Sequence, residues 1–343
     1  MDGSGDSPGR GAGQRDAARA GPRRPALQDL PETLAWRGEF GAELVLFLPF
    51  MAWLDAAGML AGRRISTYRG MRCFYEGLGC ADIIERDEQR LPLQRRMPGW
   101  MPAVDEHDLV RNPYHLHPDL RARFREVPLT PDPAADGAPL LVVHNKYTRD
   151  RFGEPVNFLD EATLDALFTR LKGSFRVVYI RHGKGPLPPG YSQDRNDILP
   201  LGDDAVLRAH PEVLDFDALY AAHVAAGGTL DVNRWKNALY ARCHRFVTVQ
   251  GGGAHHIACF KGSLMVILHR SGQELRHAYS DAGYYGFLAN PAPMRAVCIR
   301  PADLLAAVQM FTGSAVVQDR LQLDPRRARL LARFAPDRFV KAR

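Results

Sequence analysis

The chain has 343 residues, 45% of them hydrophobic, which suits one large or two ordinary folded domains and excludes a wholly disordered protein. Its net charge of +6 is uneven: residues 1–29 carry five Arg against four Asp, residues 319–343 carry eight Lys or Arg against three Asp, and the rest sums to zero. Basic charge confined to the tails argues against a nucleic-acid-binding face, which would carry it on the fold itself.

Residues 1–29 are mostly Gly, Ala, Arg and Asp, with little to bury, and read as a disordered tail with no signal-peptide apolar core. Order begins near Leu30. ETLAWRG reads as a short strand, EFGAE as a loop and LVLFLPFMAWLDAAGML as a helix that Pro49 distorts early. That helix is also the longest apolar stretch. Pro49 and Asp55 interrupt it before it reaches the ~20 residues of a membrane span. RRISTYRGMRCFYE reads as a second strand and its following loop.

Residues 87–137 are rich in Pro, Arg, Asp and His and weakly periodic, and TPDPAADGAP closes them as a domain boundary. The pattern then sharpens. PLLVVHN is a buried strand, and FLDEATLDALFTRLKG is an amphipathic helix with Asp160 as N-cap and Gly173 as its stop. FRVVYIRHG is a strand, residues 184–204 a loop, and Asp215–Ala226 and Val232–Cys243 are helices. HRFVTVQ is a strand, GGAHHIACFKG a helix behind glycines, and SLMVILH a further strand. Continuous apolar strands alternating with helices predict a parallel sheet covered on both faces. The organisation expected is a tail (1–29), a front domain (30–137), a second domain (138–312) and a basic C-terminal helix (313–343). In that helix Asp324 and Pro325 suit the N-cap and first position, and Leu330, Leu331 and Phe334 share a face.

Five cysteines without CxxC spacing read as reduced thiols, and with no span or leader the expected location is cytoplasmic. The stretch FVTVQGGGAHHIA (246–258) bears the chemistry. A strand-to-helix loop lies at the carboxyl edge of a parallel sheet, where ligands bind. Gly251, Gly252 and Gly253 let a phosphate approach backbone N–H groups, and His255 or His256 adds a donor. No GK[ST] follows, so this is not a P-loop, and GxGxxG is also absent. The bland alternative is a tight turn with one histidine buried.

The second half resembles the donor-binding domain of GT-B-type glycosyltransferases, most of all the bacterial heptosyltransferase group. The stretches LLVVHNKYT, LDALFTRLKGSFRVVYIRHG and WKNALYARCHRFVTVQGGGAHHIACFKGSLMVILH carry the likeness. Gly252–His255 matches the group's G-x-x-H turn, while Gln250 stands where the group has an acidic residue. WRGEFGAELVLFLP resembles the start of the acceptor-side domain, with Gly41 and Glu43 one residue further apart than the group's glycine–acid pair.

The resemblance implies two facing Rossmann-like domains, each with a parallel sheet, the front one reduced. It implies transfer of a sugar from a nucleotide-sugar donor to a glycan or lipid-linked acceptor, as in surface polysaccharide synthesis, with no metal and no cofactor. Donor contacts fall to Asn145, Lys146, Arg181, Gly251, Gly252, Gly253, His255, His256 and Glu274, and the acceptor base to Glu43 or Glu39. Arg181 could equally pair with Asp203 or Asp204, and Glu39 and Glu43 could be simple helix-start charges.

His115 and His117 lack a third ligand at zinc spacing, and no DxD motif is present. AGYYGF (282–287) could stack on a sugar or pack a loop. The alternatives are another transfer on the same fold, such as pyruvyl transfer, and a non-catalytic nucleotide- or carbohydrate-binding module. The basic tail raises a peripheral contact with an anionic inner membrane face, against simple docking of its apolar face on the front domain.

Overall fold

The computed structural model describes residues 30–90, 98–102, 114–149, 153–185, 197–270, 279–281, 283–288 and 291–336. The front segment holds β1 (Thr33–Ala35), α1 (Phe40–Ala42), α2 (Leu48–Ala56), β2 (Arg64–Tyr68), α3 (Arg72–Tyr75) and β3 (Asp82–Arg86). Its three strands form one parallel sheet in the order β1-β2-β3. Between α1 and α2, Glu43–Phe47 is a π-helical turn, and the Leu48 N–H reaches back to the Glu43 carbonyl. This wider turn ends just before Pro49, which has no N–H to give, so the distortion expected there is present. EFGAE, expected as a loop, contains α1 instead.

A short helix, α4 (Leu120–Phe124), leads to the second half. There follow β4 (Leu140–Asn145), β5 (Thr148–Arg149), α5 (Glu161–Leu171), β6 (Arg176–Arg181), β7 (Asp197–Ile198), α6 (Asp203–Ala209), β8 (Leu214–Asp215), α7 (Phe216–Ala225) and α8 (Val232–Arg242). Then come β9 (Arg245–Val249), α9 (Gly252–Ala258), β10 (Leu264–Leu268), α10 (Tyr284–Phe287), β11 (Met294–Cys298), α11 (Pro301–Ala307), the hairpin β12 (Ala315–Val317) and β13 (Arg320–Gln322), and α12 (Pro325–Arg333). Asp160 caps α5 by accepting from the Thr163 N–H, and Gly173, at φ +71°, ends the turn after it.

Six strands form a parallel sheet in the order β11-β10-β9-β4-β6-β8. Read from β8, its strands run third, second, first, fourth, fifth, sixth in chain order. This is the doubly wound arrangement in which the direction of winding reverses between β4 and β9. The alternation of side chains along β4 shows how both faces are filled. Leu140 and Val142 join one core with Trp235 and Leu239 of α8 and Ile257 of α9, whereas Leu141 and Val143 join another with Leu164, Leu167 and Phe168 of α5 and Leu304 of α11.

The front sheet adds Leu34, Trp36 and Ile65 to the first of these cores, so apolar packing runs unbroken from it onto one face of the large sheet. Polar contacts fix the same junction: Asn233 Nδ2 donates to the Gly70 carbonyl at 2.7 Å, and Arg234 pairs with Glu76. Arg121, from the weakly periodic stretch 87–137, is fully buried and donates to the carbonyls of Ala241, Cys243 and Lys261 and to Ser263 Oγ. It thereby fixes the end of α8 against the sheet.

In the basic tail, Asp324 caps α12, and Leu330, Leu331 and Phe334 pack on the core shared by α5 and α11. The apolar face therefore docks on the second half, not on the front segment. Among the described residues no helix is long and apolar enough to cross a membrane.

Candidate functional site

The reversal point between β4 and β9 places two loops side by side at the carboxyl edge of the sheet: Lys146 after β4, and Gln250–Gly253 after β9. They are in contact. A Cβ built on Gly251 would stand 2.9 Å from Lys146 Nζ. Gly251 has φ +127° and ψ −166°, a conformation that side-chain-bearing residues avoid. The Ala254 and His255 N–H groups turn back to the Gly251 carbonyl at 2.9 and 3.2 Å. The Gly252 and Gly253 N–H groups then stand at the helix start, where no intrahelical acceptor exists.

The three glycines have distinct reasons. Gly251 supplies the conformation and room for Lys146. Gly253 lies against the His144 ring: a Cβ there would fall 2.0 and 2.1 Å from His144 Cε1 and Nδ1. Gly252 faces the front segment, since its Cβ would meet Phe40 Cδ1 at 3.4 Å and the Gly41 nitrogen at 3.6 Å. Gly41 is equally constrained, because a Cβ on it would stand 2.8 Å from His255 Cδ2 and 3.2 Å from Gly252 Cα. The WRGEFGAE segment therefore seats directly on the glycine turn.

Several expected site residues make contacts within the fold. Glu43 is fully buried. Its Oε1 accepts from the Tyr75 hydroxyl at 2.8 Å and from Thr67 Oγ1, and its Oε2 pairs with Arg90 at 2.7 Å. The desolvated Tyr75 hydroxyl beside this carboxylate has its pKa raised by burial and by Glu43. Both oxygens of this buried carboxylate are therefore engaged within the protein, in an ion pair with Arg90 and hydrogen bonds from Tyr75 and Thr67. Glu39 caps the start of α1 without a side-chain bond to that helix and is half-buried next to the residues that touch Gly252.

Asn145 is likewise consumed. Its Nδ2 donates to the Leu159 carbonyl and the Tyr179 hydroxyl, and its Oδ1 accepts from the N–H groups of Lys146 and Leu159. It orients the Lys146 loop and has no capacity left for a ligand. Arg181 pairs with the buried Asp203 at 3.3 Å, one of the two partners expected for it, and Asp203 accepts from Tyr179 at 2.8 Å.

His256 turns into the core. Its ring packs against Phe40, Phe74, Tyr240 and Phe260, and its Nε2 meets Asn237 Oδ1. Burial holds its pKa well below the usual histidine value, which makes it a neutral core residue. His255 is buried at the contact with Gly41, its Nδ1 3.0 Å from the Tyr285 hydroxyl. That tyrosine of the AGYYGF run is fully buried, which favours packing over stacking on a sugar. Glu274 lies outside the described residues, as do residues 186–196 of the 184–204 loop.

What sequence reading misses is that His144 and Lys236 join Lys146 and His182 on the same edge. The register pairs His144 with Ile180 and Asn145 with Arg181, which sets His144 and His182 on the core face that α8 covers. Burial lowers the pKa of His144 well below 6.5 and that of His182 to about 4, and the charges of Lys236 and Lys146 act on both in the same direction. Lys236 has its own pKa brought down to about 8 by burial, with Asp217 opposing. Two lysines and two neutral imidazoles thus meet where the glycine turn begins, an arrangement suited to holding an anion without a metal.

His115 and His117 stand with their Nε2 atoms 3.2 Å apart, and among the described residues no group of three or more His, Cys, Asp or Glu could hold a metal ion. Compared with protein-family models, characterised proteins and solved structures, the chain gives no significant match.

Proposed function

We propose that the chain is a glycosyltransferase of GT-B type that moves a sugar from a nucleoside-diphosphate sugar to a glycan or lipid-linked acceptor. The observation that carries this reading is Lys146 seated over Gly251 at the reversal point of a doubly wound parallel sheet. Lys146 and the N–H groups of Gly252 and Gly253 would face the diphosphate as it leaves, and preorganised donors of that kind stabilise developing charge in the transition state. The front segment, seated on the turn through Gly41, brings the acceptor side. Glu39 is the carboxylate assigned to take the acceptor proton, because Glu43 is sealed by Arg90, Tyr75 and Thr67.

The test is thermal stabilisation by a panel of nucleoside diphosphates in the presence of a chelator, followed by a transfer assay with the best of them. A ligand at 100 times its Kd adds about 2.7 kcal/mol of stability. No stabilisation by any nucleoside diphosphate at millimolar concentration would sink the reading. One observation favours a second reading, a nucleotide-binding module without catalysis: the carboxylate in the catalytic position of the resemblance is buried in an ion pair. Binding without transfer or hydrolysis in the same assay would select it.

A further inference from the structure

Lys236 is a half-buried lysine whose ammonium lies 5.4 Å above the Phe216 ring. Among the described residues it makes no ion pair within 4.0 Å. A desolvated ammonium without a paired carboxylate is costly unless an anion completes it. The groups its charge acts on come from every neighbouring element: His144 on β4, His182 beyond β6, His256 on α9 and Asp217 on α7, and Lys146 acts on the same two rings, His144 and His182. One carboxylate stands against two lysines.

His144 supplies a second, independent sign. It is 8% exposed, and its Nδ1 has no hydrogen-bond partner. The Nδ1–Cε1 edge of that ring is the part nearest Gly253, so its unpaired nitrogen is at the turn itself. A buried polar atom without a partner inside the protein calls for an explanation, and a ligand that accepts or donates there would supply one.

We propose that Lys236 and His144 bind the second phosphate group of the ligand, extending the Lys146–Gly251 site toward α8, so that the site selects a diphosphate over a single phosphate. This rests on the anion site of the preceding reading. Lys236 is a ligand-binding residue that sets specificity, and its Phe216 contact holds it in place.

The experiment is calorimetric titration of the full chain with inorganic pyrophosphate and with inorganic phosphate at pH 8, in two buffers of different ionisation heat. Wild type binds pyrophosphate at least tenfold more tightly than phosphate. Lys236→Met loses tenfold or more in pyrophosphate affinity, and Lys236→Arg, which keeps charge and length, recovers it. With the Lys236 pKa near 8, wild type takes up about half a proton more on binding than Lys236→Arg, whose guanidinium is already charged. A purely structural lysine would leave that difference at zero. Wild-type affinity in Lys236→Met, alongside lost binding in Lys146→Met, overturns the role of Lys236 and leaves the anion site standing. Wild type that binds neither probe overturns both.

Discussion

Replacing Glu43 by Gln separates a structural carboxylate from a catalytic one. Glu43 and Arg90 are 0% and 2% exposed, and their contact at 2.7 Å is closed to solvent. Removing one member of such a pair leaves the other charge buried without a partner, which costs about 3–5 kcal/mol. Gln keeps an oxygen for Tyr75 and Thr67, so the lower end, about 3 kcal/mol, is expected. Arg90 cannot shed its proton to escape the penalty.

Urea unfolding at pH 7 should show a lower midpoint with an unchanged slope, and thermal unfolding a midpoint about 4–5 °C lower. The double replacement Glu43→Leu with Arg90→Met removes both charges and should recover most of the loss, since well-packed apolar pairs often match buried ion pairs. A Glu43→Gln protein within about 0.5 kcal/mol of wild type, with transfer slowed ~100-fold, would refute this and restore Glu43 as the base.

Three further outcomes follow from the same geometry. Gly251→Ala forces a side chain into φ +127° and against Lys146 Nζ, so stability should fall by about 1–3 kcal/mol and nucleotide binding should be lost; an unaffected variant in both assays would show that the turn can rearrange. Stability should fall with acid between about pH 6.5 and 4, because the folded-state pKa of His144 and His256 is depressed and that of His244 is lowered to about 4. In that window the unfolded chain binds protons that the native state refuses, each histidine adding at most ~1.4 kcal/mol per pH unit, and a flat profile measured by urea unfolding would contradict it. Leu331→Asp on α12 should lower the unfolding midpoint, because the tail's apolar face is packed on the second half; salt-sensitive co-sedimentation of wild type with anionic vesicles, unaltered by this substitution, would show that the tail's arginines act apart from its docking.

Local chemistry made part of this legible. Asp160 and Asp324 read as caps because a cap needs only the next three residues, and the β4, β6, β9 and β10 strands read from continuous apolar runs. Lys146 and Gly251 could be placed on one sheet edge because both follow strands. The side-chain partners were not legible, because they come from far along the chain. Glu43 is closed by Thr67, Tyr75 and Arg90, which are 24, 32 and 47 residues away. Asn145 and Arg181 look like edge ligands until Tyr179 and Asp203 are seen to hold them. Lys236 stands on a helix whose sequence alone assigns it no partner, and only the packing of α8 across the sheet brings it near His144. β3 was missed because DIIER is short and charged at both ends, and its strand identity comes from pairing with β2.

The most direct test of the diphosphate site at the β4–β9 reversal is a crystal structure of the full chain soaked with a nucleoside diphosphate in chelator. The diphosphate should lie within hydrogen-bonding distance of Lys146 Nζ and the Gly252 and Gly253 N–H groups. A nucleotide bound elsewhere on the molecule, with that edge empty, would contradict the account.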